Sequence, residues 1–351
     1  MAQHTGRAAA GKAVSTGRGT RTPRNRPAAF TLIVLTPLIA ELALGSTPIR
    51  MAWLVILWVP IYGAGVLFIR ELVMRRGRGW PSIMVMALGY ELLEDGIGLQ
   101  ALTSPHLYGA AEWGLRLLGL NLPYWEANLI YHAVFTVAIP IALTDLLFPR
   151  HVGKPYLGRM GTVVAGVVAL LGVLVLRVSV PVSQDPGYQA PWPFVVSIGI
   201  LVVALAGIAL FAVPRRHERS RSGSVPSPRL LFLAAVGATL IFFALAFPIF
   251  GARQPAFSHG AFVVVPMGAA AALAAAAYIL LRRLGRSTAW TPRHTLWLIG
   301  GALVAHSVGG LVVMARTPID AIGLAVITAL TAVLLSVLDV SLRRRAEGGI
   351  V

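Results

Sequence analysis

Residues 51–70 read MAWLVILWVPIYGAGVLFIR, and no charged side chain interrupts this stretch before Arg70. An α-helix needs roughly 20 apolar residues to cross the hydrocarbon core of a bilayer, which is about 30 Å thick. The basic segment at 75–81, RRGRGWP, ends this run, and another apolar run follows at once. The alternation predicts consecutive transmembrane helices, with Arg70 and Glu71 forming a charge pair at the membrane interface.

The same alternation continues along the chain. The composition agrees, since 57% of the residues are hydrophobic and 12% are charged, whereas soluble domains contain about 25% charged residues. The predicted fold is therefore an all-α, polytopic transmembrane helical bundle of about ten helices. The predicted spans are 28–46, 51–70, 81–100, 126–148, 160–181, 193–213, 230–250, 261–281, 295–315 and 319–341.

The basic residues predict the orientation of these helices. Lys and Arg that flank transmembrane helices are retained in the cytoplasm. With both termini cytoplasmic, 25 of the 30 basic residues face inward, and the outward loops hold Arg50, Arg116, Arg177, Arg253 and Arg316. We therefore predict a multi-pass protein of the cell membrane. The basic residues lie between apolar runs and form no folded patch, which argues against nucleic-acid binding.

Three regions follow from this organisation. Residues 1–27 lack apolar periodicity and are predicted to form a disordered basic cytoplasmic tail. The transmembrane domain is predicted at 28–342, and 343–351 forms a second cytoplasmic tail. A polar loop between the sixth and seventh helices suggests two halves, 28–214 and 229–342.

The longest outward connection, 101–125, is rich in aromatic and apolar side chains, among them Tyr108, Trp113, Tyr124 and Trp125. Trp and Tyr are enriched at both membrane–water interfaces. This pattern favours a helix that lies in the outer interface, and a re-entrant segment is the alternative.

Ionisable side chains within the predicted spans are the candidate functional residues. Each costs a few kcal/mol in hydrocarbon, so such groups usually face the protein interior or a cavity. At about 1.5 Å per residue, those on the first, third and ninth helices lie roughly 17–20 Å from the cytoplasmic face, and the one on the fourth helix lies at a comparable level. The groups predicted to share this depth are Glu41, Glu94, His132 and His306.

Three carboxylates of the third helix lie within five residues, and Glu91 and Asp95 share one face beside Glu94. They cannot all stay charged cheaply in an apolar environment, so we expect them to share a proton, a metal ion or a basic side chain. Simpler interpretations remain open: the carboxylates can cap solvated helix ends, and His132 and His306 can form hydrogen bonds between helices.

Two functions compete on this basis. The chain contains no Cys, so a metal would need His, Asp, Glu or neutral oxygen ligands. The leading interpretation is a transporter or permease-like protein without a cofactor, which moves a small-molecule or ion substrate. Its proton or cation coupling would use Glu41, Glu91, Glu94, Asp95 and His132.

The alternative is an intramembrane metal-dependent hydrolase that acts near the outer leaflet. A divalent metal would then be held by Glu94, Asp95, His132 and His306. A third interpretation is a membrane scaffold or sensor without catalysis. In each case the basic cytoplasmic loops are expected to contact anionic lipid headgroups.

Three short segments resemble the CPBP (Abi) family of intramembrane proteases: EDGIGLQ at 94–100, NLIYH at 128–132 and AHSVG at 305–309. That family carries Glu-Glu-x-x-x-Arg, Phe-x-x-x-His and His-x-x-x-Asn/Asp motifs. The resemblance implies a protease whose site includes Glu94, Asp95, His132 and His306. The chain departs from the pattern at three positions, which are Leu99 for Arg, Asn128 for Phe and Gly310 for Asn or Asp.

Overall fold

The computed structural model describes residues 24–107, 114–215, 222–246 and 260–347. Parts of several predicted regions lie outside these ranges. They are residues 1–23 of the amino-terminal tail, residues 348–351 of the carboxyl-terminal tail, Tyr108 and Trp113 of the outward connection, residues 216–221 of the polar loop, residues 247–250 of the seventh predicted span, and the outward loop that holds Arg253.

The described residues contain ten long helical segments, and each coincides with one predicted span. The predicted all-α transmembrane fold is therefore confirmed. The helices are α1 (Arg26–Pro37, continued by a π-helical stretch at Leu38–Leu42), α2 (Ile49–Arg75), α3 (Trp80–Glu91, continued by a π-helical stretch at Leu92–Gly98), α4 (Leu122–Leu147), α5 (Arg159–Gln184), α6 (Trp192–Ala212), α7 (Pro228–Ala246), α8 (Ala261–Leu284), α9 (Pro292–Val313) and α10 (Pro318–Glu347).

Eight of these helices, α2 and α4–α10, are long and apolar enough to cross a membrane. The two others are α1, which is shorter, and α3, which carries three carboxylates. Both are packed within the bundle. The last helix continues to Glu347, so the described part of the predicted tail at 343–351 is helical.

Local sequence signals set several helix starts. The side chain of Asn25 accepts a hydrogen bond from the Ala28 backbone N–H at 3.1 Å, and Asn121 accepts one from Tyr124 at 3.1 Å. Such N-caps satisfy backbone donors that have no partner in the first helical turn. Pro27 and Pro123 follow within the first two positions, where a missing N–H costs nothing.

The helices form two packed groups. A large hydrophobic cluster joins α1–α6, and a second cluster joins α7–α10 to α1 and α4. Glycine allows the closest approaches: Gly63 of α2 lies against the backbone of Ile33 in α1, and Gly172 of α5 lies against the backbone of Ile61 in α2. Small residues permit such backbone contacts in lipid-embedded helices. Helices α1 and α4 therefore lie between the two groups.

The predicted interfacial helix at 101–125 is wrong for residues 101–106 and 114–121, whereas residues 122–125 form the first turn of α4. Residues 101–106 form turns, and Arg116–Leu117 pairs antiparallel with Leu120–Asn121 in a short hairpin (β1 and β2). Leu118 and Gly119 connect the strands with φ of 53° and 85°. Two consecutive positive φ values match the tight turn that suits the twist of a hairpin, and they are incompatible with a helix.

The predicted charge pair of Arg70 and Glu71 is present, with 3.9 Å between Arg70 Nη1 and Glu71 Oε1, and both side chains are fully buried within the protein. The Arg70 guanidinium donates to Asp145 Oδ1 at 2.7 Å and to the Lys154 carbonyl at 3.0 Å, and it lies 3.4 Å above the ring of Tyr156. The Tyr156 hydroxyl donates to the same Asp145 oxygen at 2.8 Å. Burial and the neighbouring Asp145 raise the pKa of this phenol, which keeps it protonated.

Glu71 completes this network from the other side. Its carboxylate accepts backbone hydrogen bonds from Tyr156 and Leu157, the second at 3.1 Å, and lies 3.4 Å from Arg75. The network therefore fastens the connection between α4 and α5 to the end of α2.

Candidate functional site

π-Helical stretches mark the polar centre of the bundle. The described residues contain five such stretches, and four of them, in α1, α2, α3 and α4, carry the side chains that meet there. They contribute Glu41, Tyr62, the pair Glu94 and Asp95, and His132. A π-helical turn inserts an extra residue into an α-helix and frequently occurs at functional sites. In α2, Pro60 lacks the N–H that a regular helical ladder would use.

Glu94, Asp95 and His132 form the core of this centre. One ligand atom from each side chain lies within 4.8 Å of the other two, and all three residues are buried. Glu94 Oε2 is 3.5 Å from His132 Nδ1, and that nitrogen is 2.9 Å from the Thr136 hydroxyl. The carboxylates of α3 and the imidazole of α4 therefore lie close together in space.

Most oxygens of these carboxylates have no hydrogen-bond donor. Both oxygens of Glu94, both oxygens of Asp95 and Oε1 of Glu91 are buried without a partner at hydrogen-bond distance and angle. The Tyr62 and Tyr90 hydroxyls interact with Glu94 electrostatically, although neither meets the geometry of a hydrogen bond to it. Buried carboxylates are normally paired or bound to a metal, so this centre has unused capacity for a cation.

No Arg or Lys in the described part of the chain forms an ion pair with this centre. Within the described residues, the ion pairs of Arg and Lys involve Glu71, Asp145, Asp320 and Asp339, and none involves a carboxylate of this centre. Its one ionic contact is that of His132 with Glu94. A proton or a metal cation is therefore required to balance the buried negative charge.

Two further carboxylates surround the core and are better satisfied. Glu41 accepts hydrogen bonds from the Tyr62 hydroxyl at 2.7 Å and from the Thr47 hydroxyl at 2.8 Å. Glu91 accepts one from the indole of Trp125 at 3.2 Å. Sequence reasoning identified both carboxylates and missed their donors, since a Tyr, Thr or Trp in an apolar run carries no signal of its partner.

His306 lies beside the centre and outside the group of three. Its Nε2 is 3.0 Å from the Tyr131 hydroxyl, and its ring stacks on Phe135 with centroids 4.4 Å apart. Tyr131 also contacts the ring of His132, at 5.4 Å between centroids. Of the four metal ligands suggested by the sequence, the structure brings together Glu94, Asp95 and His132, and it places His306 behind Tyr131.

Tyr131 joins three helices, because its hydroxyl donates to the Ala40 carbonyl of α1 at 2.6 Å while contacting His306 of α9. Replacing Tyr131 with Phe should lower the free energy of unfolding by about 1–2 kcal/mol, since hydrogen bonds between membrane helices contribute about 0.6 kcal/mol on average and up to about 1.7. SDS titration in mixed micelles measures this change. Tyr278→Phe, at a position 38% exposed on α8, is the control; equal midpoints for the two variants would contradict the prediction.

Comparison with known proteins identifies a family without naming an activity. A family described as an uncharacterized membrane protein family matches residues 30–345. No curated protein and no solved structure shows a significant match. The comparison does not return the CPBP family, so the resemblance in the three short motifs is without support. Because the match covers most of its length, the chain belongs to this uncharacterized membrane protein family.

Proposed function

We propose that this protein is a cation-coupled transporter, in which Glu94, Asp95 and His132 bind and release the coupling cation. The observation that carries the proposal is the convergence of these three buried side chains within 4.8 Å. Ionisable groups inside a membrane domain characteristically mark ion pathways and proton relays. The substrate would be a small molecule or an ion.

The surrounding carboxylates support reversible binding. Glu41 and Glu94 influence each other electrostatically, as do Asp95 and Glu91. A cation that leaves the core therefore leaves several negative groups close together, which favours the uptake of a proton or of another cation. Such an exchange is the chemical basis of coupling, because the occupied and empty states differ in electrostatic free energy.

A second candidate is an intramembrane metal-dependent hydrolase. It is favoured by the number of converging ligands, since catalytic zinc sites use three protein ligands and keep a position for water or substrate. Under this alternative Glu94, Asp95 and His132 would hold the metal, which would supply Lewis-acid activation of water, and Glu41 or Glu91 would serve as the general base.

The proposal also includes the orientation of the protein in the membrane and its contacts with lipid headgroups. We place both termini in the cytoplasm of a cell-membrane protein, on the basis of the inward excess of Lys and Arg. The basic inward loops would contact anionic lipid headgroups, each Lys or Arg contributing about 1 kcal/mol near the surface.

Glu94→Gln tests the transporter assignment. The protein is reconstituted into liposomes, and charge movement is recorded on a solid-supported membrane while amino acids, sugars, nucleosides, Na⁺ or Mn²⁺ are added in turn. We expect at least one addition to produce a current that Glu94→Gln reduces about 10–100-fold, since it removes a cation ligand. Glu347→Gln, which changes an exposed carboxylate at the end of α10, is the matched control.

Two results would contradict transport. One is a set of wild-type currents no larger than those of empty liposomes for every addition. The other is a current that persists unchanged in Glu94→Gln. Hydrolysis of a peptide or lipid-linked substrate at the outer leaflet, lost in Glu94→Gln, would favour the second candidate.

A further inference from the structure

We infer that Glu94, Asp95 and His132 form a site for one divalent first-row transition metal ion, of the class of Zn²⁺, Mn²⁺ or Co²⁺. The inference rests on the proposed function, because it identifies the coupling cation. It is supported separately by the geometry of the three ligands, by their unpartnered oxygens and by the chemistry of the ligand set.

The geometry requires only small side-chain adjustments. Metal bonds to imidazole nitrogen and carboxylate oxygen are about 2.0–2.2 Å long, so two ligands of a tetrahedral ion lie about 3.4 Å apart. Glu94 Oε2 and His132 Nδ1 are already 3.5 Å apart. Asp95 presents an oxygen within 4.8 Å of a ligand atom of each of the other two side chains. Bonding would require this oxygen to move closer to them.

The unpartnered oxygens are an independent indication of a ligand. All four carboxylate oxygens of Glu94 and Asp95 are buried, and none has a donor at hydrogen-bond distance and angle among the described residues. Leaving buried carboxylates unpaired is costly, and a bound cation removes that cost by supplying charge and filling their lone pairs. A dication would neutralise both carboxylates together.

The mixture of ligands selects the class of metal. Ca²⁺ and Mg²⁺ bind almost entirely through oxygen ligands. Imidazole suits Zn²⁺, Fe²⁺ and Ni²⁺, and carboxylates also suit Mn²⁺. Two carboxylates with one imidazole therefore favour borderline transition metals. Soft thiolate sites are excluded, since the chain has no Cys.

Binding has a mechanical consequence that can be measured without a transport assay. Glu94 and Asp95 belong to α3 and His132 belongs to α4, so the metal would join two helices. The Thr136 hydroxyl now contacts His132 Nδ1 at 2.9 Å, and coordination through that nitrogen would replace this contact. A ligand that binds only the folded state stabilises it in proportion to the logarithm of its concentration.

The test uses the full chain, purified in detergent and stripped with a chelator. Titration with Co²⁺ reports coordination through visible absorption bands, plasma mass spectrometry gives the stoichiometry with Zn²⁺ or Mn²⁺, and thermal melts give the stabilisation. We expect one metal per chain and a Tm increase of roughly 5 °C at a hundredfold excess over Kd. Mg²⁺, Ca²⁺ and Na⁺ should not reproduce the effect.

Matched variants assign the site. Asp95→Asn and His132→Gln should each weaken Co²⁺ binding about 100-fold or more, whereas Glu347→Gln should leave it unchanged. If one variant does not fold, the other and the Co²⁺ spectrum of the wild type still decide the result. Substoichiometric metal, or equal affinity in the variants, overturns the inference.

Failure of the inference can be distinguished from failure of the proposed function. A metal that binds with the expected stoichiometry in a protein that moves no charge supports the site and contradicts transport. Currents that depend on Glu94 in a protein that binds no transition metal support transport and contradict the metal site.

Discussion

Replacing Arg70 with methionine is expected to lower the free energy of unfolding by about 3–5 kcal/mol, because removal of one partner leaves a buried charge uncompensated. The guanidinium of Arg70 is fully buried and is the ion-pair partner of Asp145. Its loss also leaves the Lys154 carbonyl without the hydrogen bond that it now accepts at 3.0 Å. SDS titration in mixed micelles measures the change.

Arg76→Met is the matched control for this prediction. Arg76, two residues before Arg78, is exposed. Its guanidinium carbon lies 4.5 Å from the centre of the Phe211 ring in a cation–π interaction. An exposed interaction of this kind contributes about 0.5–1 kcal/mol. Unfolding midpoints that agree between Arg70→Met and Arg76→Met would show that the buried network contributes nothing to stability.

Gly301→Ala and Gly300→Ala are expected to differ sharply although the residues are neighbours in α9. A Cβ at Gly301 would collide with the Phe232 carbonyl of α7, which is backbone and cannot turn away. A Cβ at Gly300 would meet Leu335 at 3.5 Å, an ordinary contact. Overpacking of this kind costs about 1–3 kcal/mol, whereas Ala is favoured over Gly within a helix by up to about 1 kcal/mol.

The Tm values of the two variants can be compared by thermal melts under identical detergent conditions. We expect a lower Tm for Gly301→Ala, and a Tm equal to or above that of the wild type for Gly300→Ala. Both substitutions add one methyl group to the same helix. Any effect of that methyl group on detergent binding is therefore shared by the two variants and cancels when their Tm values are compared. A lower Tm for Gly300→Ala alone would show that the α7–α9 contact is packed differently.

Hydropathy predicts the ten helical segments because lipid imposes one requirement, a run of about 20 apolar residues. Each residue contributes to that run by its own side chain, without a partner elsewhere in the sequence. The hairpin at 116–121 escaped prediction because its turn depends on positive φ at Leu118 and Gly119. A leucine in that conformation is rare and leaves no pattern in the sequence. The burial of Arg70 escaped prediction for a different reason, since its hydrogen-bond partners lie 75 or more residues away in the sequence.

The sequence predicted which residues could form the polar centre, but not the direction in which each side chain points. Counting residues from the membrane entry placed Glu94 and His132 at one level, and the two side chains do meet. Which way a side chain points depends on the rotation per residue, and the π-helical stretches change that rotation. His306 shares the predicted depth, yet it faces Tyr131. A regular period of 3.6 residues therefore could not predict that His132 meets Glu94 whereas His306 does not.

The buried network around Arg70 also constrains how the molecule can move. Charge-assisted hydrogen bonds join α2, α4 and the start of α5 at one end, so we expect these helices to move there as one unit. The contact of α4 with α7 and α9 is made by stacked rings, with Phe135 lying against Phe243 and His306, and by the hydrogen bond between Tyr131 and His306. The ion pair of Arg50 with Asp320 also joins α2 to α10. A movement of α7–α10 relative to α1–α6 would therefore have to break this ion pair, whereas the network around Arg70 could stay intact.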